Sequence, residues 1–231
     1  VYYGNKVPDE DLTYLLRLDE SPFTPATNDR DRASFMDTLP FEYPCFGVGD
    51  YRESAFQIMD ANGMSTCDLR YVSHKMYEGK PKLEGLPATF ATEESGCSTL
   101  EITMYDKYAN IEVVLIYTAF DKLDVITRSA VITNKSEKPF KITRALSACV
   151  DFDTDKMDMI TLNGSWARER AVERYRLHHG KQLVDSCRGE SSHQNNPFVA
   201  LCDNNADEDK GEVFGFNFVY SGNFYAQAEV T

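Results

Sequence analysis

The sequence predicts an all-β protein, a sandwich of antiparallel strands, and three observations carry that reading. Leu100, Ile102 and Met104 alternate with Glu101, Thr103 and Tyr105, and Ile111, Val113, Leu115 and Tyr117 repeat the two-residue period. That spacing puts apolar side chains on one face of a strand. Phe and Tyr supply almost all of the 12% aromatic content, with Trp166 the single Trp, a balance that suits strands. No strand–helix alternation occurs along the chain, so the main signature of a parallel sheet is missing.

Taken in order, the elements are these. From Val1 to Asp50, Pro8, Pro22, Pro25, Pro40 and Pro44 punctuate short apolar runs, which reads as edge strands and loops. The two alternating strands follow, joined through the polar turn Asp106 to Asn110. A third strand is expected from Leu123 to Thr133, rich in β-branched Val125, Ile126, Val131 and Ile132, then a turn at Asn134 to Pro139 and a fourth strand through Phe140 to Val150. Trp166 to Arg176 (WARERAVERYR) is rich in helix formers, yet Ala171, Glu173, Tyr175 and Leu177 alternate. We read it as a strand, because helical segments are otherwise scarce and a lone helix must find an apolar face to bury. Asp203 to Gly211 is an acidic loop between strands. Phe214, Phe216, Phe218 and Tyr220 then share one strand face, and Ser221-Gly222-Asn223 turns the chain into a final run from Phe224. One large domain over 1–231 is the simplest division. Thr231 falls inside an apparent strand, so the sandwich is expected to lack its last strands and to associate through the open edge.

With 231 residues, 42% hydrophobic and 26% charged, the chain is expected to fold around a sizeable core. The net charge is -13 with no long run of Lys or Arg, which argues against nucleic-acid binding. An acidic surface is repelled by anionic lipid, and no apolar stretch approaches the ~20 residues of a spanning helix, so no membrane partner is expected. Cys45, Cys67, Cys97, Cys149, Cys187 and Cys202 are scattered without a C-x-x-C pair, which reads as reduced, mostly buried thiols. No secretory leader is read at Val1, and a cytoplasmic location is the expectation, with the even cysteine count leaving a secreted form open.

Familiar catalytic signatures are missing. There is no G-x-S-x-G elbow, Walker A loop or dinucleotide fingerprint. Asp151 to Asp155 opens like a calcium loop, but Lys156 and Leu162 stand where an EF-hand needs Gly and Glu. No metal site and no cofactor are expected. Asn134-Lys135-Ser136 and Asn163-Gly164-Ser165 match the glycosylation sequon, a pattern short enough to arise by chance. Two polar segments stand apart from the core pattern: GVGDYR from Gly47, with DLRYVSH from Asp68 and GKPKLEG from Gly79, and SSHQNNPF from Ser191. Asp, Arg, His and Asn near turn-forming residues suit sugar hydroxyls, which need donors and acceptors, and equally suit an internal network that holds loops.

Six ordered blocks carry a resemblance: EYPCFGVGDYRESAF (Glu42 to Phe56), DLRYVSHKMYEGKPKLEGLPAT (Asp68 to Thr89), LDVITRSAVITN (Leu123 to Asn134), GSWARERAVERYRL (Gly164 to Leu177), RGESSHQNNPFVAL (Arg188 to Leu201) and GEVFGFNFVYSGNF (Gly211 to Phe224). Together they resemble the N-terminal domain of glycoside hydrolase family 36, the bacterial and fungal α-galactosidases that act on melibiose and raffinose. The resemblance implies a β-supersandwich similar to galactose mutarotase, packed on a catalytic (β/α)₈ barrel that is not among these residues. It implies a retaining hydrolysis by two barrel carboxylates about 5 Å apart. Nothing resembling the family's KWD-type nucleophile strand is present, so no catalytic residue is assigned and the chain alone is expected to be inactive. The implied partners are the chain's own C-terminal barrel, further copies of itself, as in tetrameric relatives, and galactosides. Asp50, Arg52, Arg70, His74, His193 and Asn196 form the expected substrate-facing or interface-facing set. Two rival readings are a free-standing carbohydrate-binding sandwich and an aldose 1-epimerase-like enzyme with His193 as its acid.

Overall fold

A computed structural model describes residues 40–85, 87–190, 194–220 and 222–231. The loops and edge strands expected before Pro40 lie outside them. The described residues contain no helix and are built from strands: β1 (Phe56–Met59), β2 (Arg70–Glu78), β3 (Cys97–Asp106), β4 (Ile111–Phe120), β5 (Ile126–Asn134), β6 (Lys141–Ala145), β7 (Met157–Ser165), β8 (Arg168–Arg176), β9 (Gly180–Ser186), β10 (Asn195–Asp203), β11 (Val213–Asn217) and β12 (Phe224–Val230). The expected all-β antiparallel architecture is the observed one. The strands fall into two compact units, one on the residues up to Glu78 with Ser98–Asp151, the other on Gly79–Cys97 with Phe152–Thr231.

In the first unit, β2-β3-β4-β5 form one sheet and β1-β6 a two-stranded ribbon. The alternation that predicts β4 is also what seats it. Ile111, Val113 and Leu115 are fully buried, and they face Phe56 and Ile58 of the ribbon in one core with Tyr43, Cys67, Leu69 and Met104. Each such side chain contributes about 1.5–3 kcal/mol on leaving water. The register extends this face across the sheet, since Val113 pairs with Ile132 and Leu115 with Ala130. On the opposite face, the buried hydroxyls of Thr99 and Thr118 meet at 2.8 Å and satisfy each other. The β3–β4 turn is held by buried Asp106, whose Oδ1 accepts from the amides of Tyr108 (2.7 Å) and Ala109 (2.9 Å).

The second unit has the same plan: a sheet of order β11-β10-β7-β8 and a ribbon of β12-β9. Met157, Met159, Val199 and Leu201 from the sheet bury against Val184 and Phe224 from the ribbon. Phe214, Phe216 and Phe218 line this core on the face the alternation assigns them, with Phe152 5.0 Å from the Phe214 ring. The strand itself stops at Asn217, and β12 pairs with β9 rather than with β11. Gly222-Asn223 therefore leads out of one sheet into another. β8, drawn from the stretch rich in helix formers, is a strand paired with β7 from Ala171 to Arg176 and again at Arg168, with an irregularity between them.

Candidate functional site

The segment before β1 is shaped by its glycines. Gly47 has φ +94°, and a Cβ there would lie 2.9 Å from Thr66 Oγ1 and 3.0 Å from its Cα, so a side chain is disfavoured both by conformation and by space. The turn brings Asp50 and Arg52 together. Asp50 Oδ1 accepts from the Arg52 amide (3.1 Å) and Nε (3.0 Å), and Oδ2 accepts from Nη2 (3.1 Å). The Asp50 carboxylate is 2% exposed and the Arg52 side chain 20%, with Arg52 also 3.8 Å from Asp151 and over the Phe41 ring. Burial works against the Arg52 charge, yet the hydrogen bond and charge of Asp50 outweigh it and raise its pKa. Burial dominates at Asp151 and holds its carboxyl above the usual range despite Arg52. It also pushes the Cys149 thiol up to about 11.

Beside this pair lies a network that the sequence reading missed. Arg128 of β5 sits between two aromatic rings, 5.2 Å from Tyr43 and 5.1 Å from Tyr117. Its Nε donates to Tyr117 Oη (2.9 Å), Nη2 to the Glu42 carbonyl (3.4 Å) and Nη1 to the Ser147 carbonyl. Tyr117 donates to the Glu42 carboxylate, and Tyr43 donates to the Leu146 carbonyl at 2.9 Å. Burial raises both tyrosine pKa values. One guanidinium thus ties residues 42–43 to β4, β5 and the stretch after β6. Its signal in the sequence was slight: a lone Arg in the otherwise uncharged run VITRSAVIT.

Arg70 and His74 lie on β2 and take partners from its own neighbourhood. Arg70 Nε is 2.8 Å from Asp68 Oδ1, while the Asp68 amide donates to Asp106 Oδ2 at 2.7 Å. His74 Nδ1 meets Tyr71 Oη at 2.7 Å on the exposed edge strand. His193 lies outside the described residues.

Asn196 belongs to the second unit, where it braces the β7–β8 hairpin. Its Nδ2 donates to the Leu162 carbonyl (3.1 Å), and the Gly164 amide donates to the Gln194 carbonyl (3.2 Å). Gly164 has φ +151°, and a Cβ there would fall 2.1 Å from the Arg168 carbonyl oxygen. Ala167 (φ 65°) and Arg170 (φ 59°) adopt the left-handed region without being glycine. Trp166 stands at the tip, 83% exposed. Farther along, the Asp158 carboxylate accepts from Arg174 Nε and Arg176 Nε, both at 2.7 Å. Burial raises the Asp158 pKa, but these two partners overcome it and hold the carboxyl below its ordinary value. Arg174 also donates to the carbonyls of Asp203, Asn204 and Ala206, fixing the acidic loop.

Among the described residues, no group of three or more His, Cys, Asp or Glu is placed to hold a metal ion. The six cysteines are free thiols: Cys45, Cys67, Cys97 and Cys202 are buried, Cys149 half-buried and Cys187 exposed.

Residues 1–231 match the family model described as glycosyl hydrolase family 36 N-terminal domain. The chain is 50% identical over 231 residues to α-galactosidase AgaA of Geobacillus stearothermophilus, covering 100% of this chain and 32% of that protein. It is 40% identical over 231 residues to the bifunctional α-galactosidase/sucrose kinase AgaSK of Mediterraneibacter gnavus, covering 99% and 24%. The crystal structure of a Geobacillus stearothermophilus AgaA variant in complex with stachyose matches with a TM-score of 0.89 at 49% identity, over 100% of this chain and 32% of that one. The chain therefore spans about a third or less of the length of these relatives. With the match running along the whole sequence, the all-β fold and the six ordered blocks have one explanation: the chain belongs to the N-terminal domains of glycosyl hydrolase family 36.

Proposed function

We propose that this chain is the non-catalytic N-terminal β domain of an α-galactosidase that removes terminal α-linked galactose from melibiose- and raffinose-type oligosaccharides. In this reading a (β/α)₈ barrel outside the chain carries the two carboxylates, and the β domain supports the barrel, contributes to assembly and lends polar groups to the rim of the substrate pocket. The observation that carries the reading is the coverage: a full-length match to the N-terminal domain family by a chain about a third as long as AgaA.

The local chemistry supports a supporting role. A retaining pair needs one free carboxylate as nucleophile and one proton-bearing partner about 5 Å away. Asp50 is held by Arg52, Asp68 by Arg70, and Asp158 by Arg174 and Arg176, which makes these carboxylates structural. Arg52, Arg70, His74, His193 and Asn196 are the residues we assign, with Asp50 as the orienting partner, to the pocket rim or the subunit interface.

The test compares the 231-residue chain with the full-length polypeptide, using p-nitrophenyl α-galactoside and raffinose. Activity in the full-length protein and none in the chain is expected, and turnover by the chain alone would overturn the reading. Ala at each of the six positions in the full-length protein should raise KM for raffinose or disturb assembly. No change in either at any position would remove the rim assignment.

A further inference from the structure

The segment between Cys45 and Cys67 leaves the core of the first unit and returns to it at one place. Phe56 and Ile58 of β1 anchor its middle, while Phe46, Tyr51, Met59 and Met64 stand exposed. Its two ends run side by side. The Cys67 amide donates to the Phe46 carbonyl at 3.1 Å, the Phe46 amide donates to the Phe56 carbonyl at 3.1 Å, and Gly47 lies so close to Thr66 that a Cβ would stand 3.0 Å from the Thr66 Cα. A cysteine sits at each foot of the segment, and both are buried, Cys45 at 5% exposure and Cys67 at 0%. Their thiols share a hydrogen bond, and Cys45 Sγ also donates to the Tyr43 carbonyl at 3.5 Å. Small apolar side chains would fill the same space as free cysteines do. What two facing thiols add is the capacity to be joined.

We propose that Cys45 and Cys67 are a reversible redox site, whose disulfide clamps the two feet of the segment that carries Asp50 and Arg52. Closing it takes the two sulfurs from hydrogen-bond contact to bonding distance, an adjustment of side chains on feet that already lie together. With hydrogen peroxide as the oxidant, one thiolate of the pair attacks a peroxide oxygen and the O–O bond breaks, leaving a sulfenic acid and hydroxide. The second thiolate attacks that sulfur, the S–O bond breaks, and a second hydroxide leaves. The two thiol protons turn both hydroxides into water. Two thiols and one peroxide thus give one disulfide and two waters, and the sulfurs lose the two electrons that the peroxide gains. A dithiol reverses the step by thiol–disulfide exchange. The hydrogen bond from Cys45, and then burial, hold the Cys67 thiol far above its ordinary pKa. Its thiolate is therefore scarce at neutral pH, and the exposed Cys187 is oxidised first. The pair answers sustained oxidation rather than a brief pulse. It belongs to the first unit alone and does not depend on the hydrolase reading.

The full-length polypeptide carrying Cys187→Ser, which removes the exposed competitor, is the material for the test. It is incubated with hydrogen peroxide at mildly alkaline pH, unfolded in the presence of N-ethylmaleimide, digested, and mapped by mass spectrometry without reduction. A peptide linked through Cys45 and Cys67, lighter than its two parts by a pair of hydrogens and separated again by dithiothreitol, is expected. Amide exchange over residues 46–66 should slow at least about tenfold in the oxidised form, because the cross-link restricts the opened states through which exchange occurs. Cys45→Ala treated in the same way should show no slowing. Circular dichroism checks that this variant folds, and if it does not, the reduced and oxidised forms of the Cys187→Ser protein carry the comparison. Both thiols still open to maleimide, sulfinic or sulfonic acids in place of the link, or a link from either cysteine to a different one overturns the redox site. A Cys45–Cys67 link that leaves exchange over 46–66 unchanged overturns the clamp.

Discussion

β4 and β8 are strands of nearly equal length on the same kind of four-stranded sheet, and they are built on opposite terms. β4 is a central strand that buries Ile111, Val113 and Leu115 completely. β8 is an edge strand in which eight of nine residues are exposed, Val172 at 68%. Its order comes from the ladder with β7 and from the two arginines on Asp158. Hydrophobic burial makes one strand and pairing with electrostatics the other. An exposed edge is normally guarded by charge, and the four arginines of β8 serve that purpose while its tip remains open.

The contrast can be tested from the largest effect downward. Leu115→Ala should cost about 2–5 kcal/mol, because the cavity is enclosed on all sides, and denaturant unfolding with unchanged m would register it as a lowered midpoint. Gly164→Ala should cost a comparable amount, because a Cβ would fall 2.1 Å from the Arg168 carbonyl oxygen, a backbone atom that cannot swing aside as a side-chain tip could. Its thermal midpoint should drop while the β4 core, followed by amide exchange, keeps its protection.

Asp158→Asn probes the electrostatic half of the comparison. A carboxyl held below its ordinary pKa in the folded state stabilises the fold above the unfolded value of about 3.9 and loses that contribution as pH falls through the lower folded value. The wild type should therefore lose stability on acidification over that range, and Asp158→Asn should flatten that part of the profile, at a cost on the order of 1 kcal/mol at neutral pH. Melting curves between neutral and strongly acidic pH would show whether the two profiles converge at the acid end. Val172→Thr closes the series with an expected change within about 0.5 kcal/mol. A larger loss in the isolated chain would mean that β8 depends on burial after all.

The same contrast explains which parts of the molecule could be read from sequence. β3, β4, β5 and the Phe214–Phe216 face were legible because burial writes a two-residue period into the chain. β8 is a strand in spite of its helix formers, because tertiary pairing overrides propensity there. β2 and the start of β10 show only a polar pattern in the sequence. Their strands come from ladder bonds between exposed or half-buried polar residues, and in β10 Pro197 sits where the register shifts between Asn195 and Val199. At the candidate site, residue types were visible but partners were not. Nothing in GVGDYR shows that Asp50 turns back on Arg52, and Tyr43 and Tyr117 look like ordinary core aromatics until Arg128 is found between them.

The distribution of thiols has a practical consequence. Four cysteines are shut inside the two units, and Cys149 is half-buried with its thiol shifted to about 11, while Cys187 stands exposed after β9. Because the thiolate is the reactive form, a maleimide dye at neutral pH should enter at Cys187 first. The native sequence thus supplies a labelling handle on the second unit without engineering a new site.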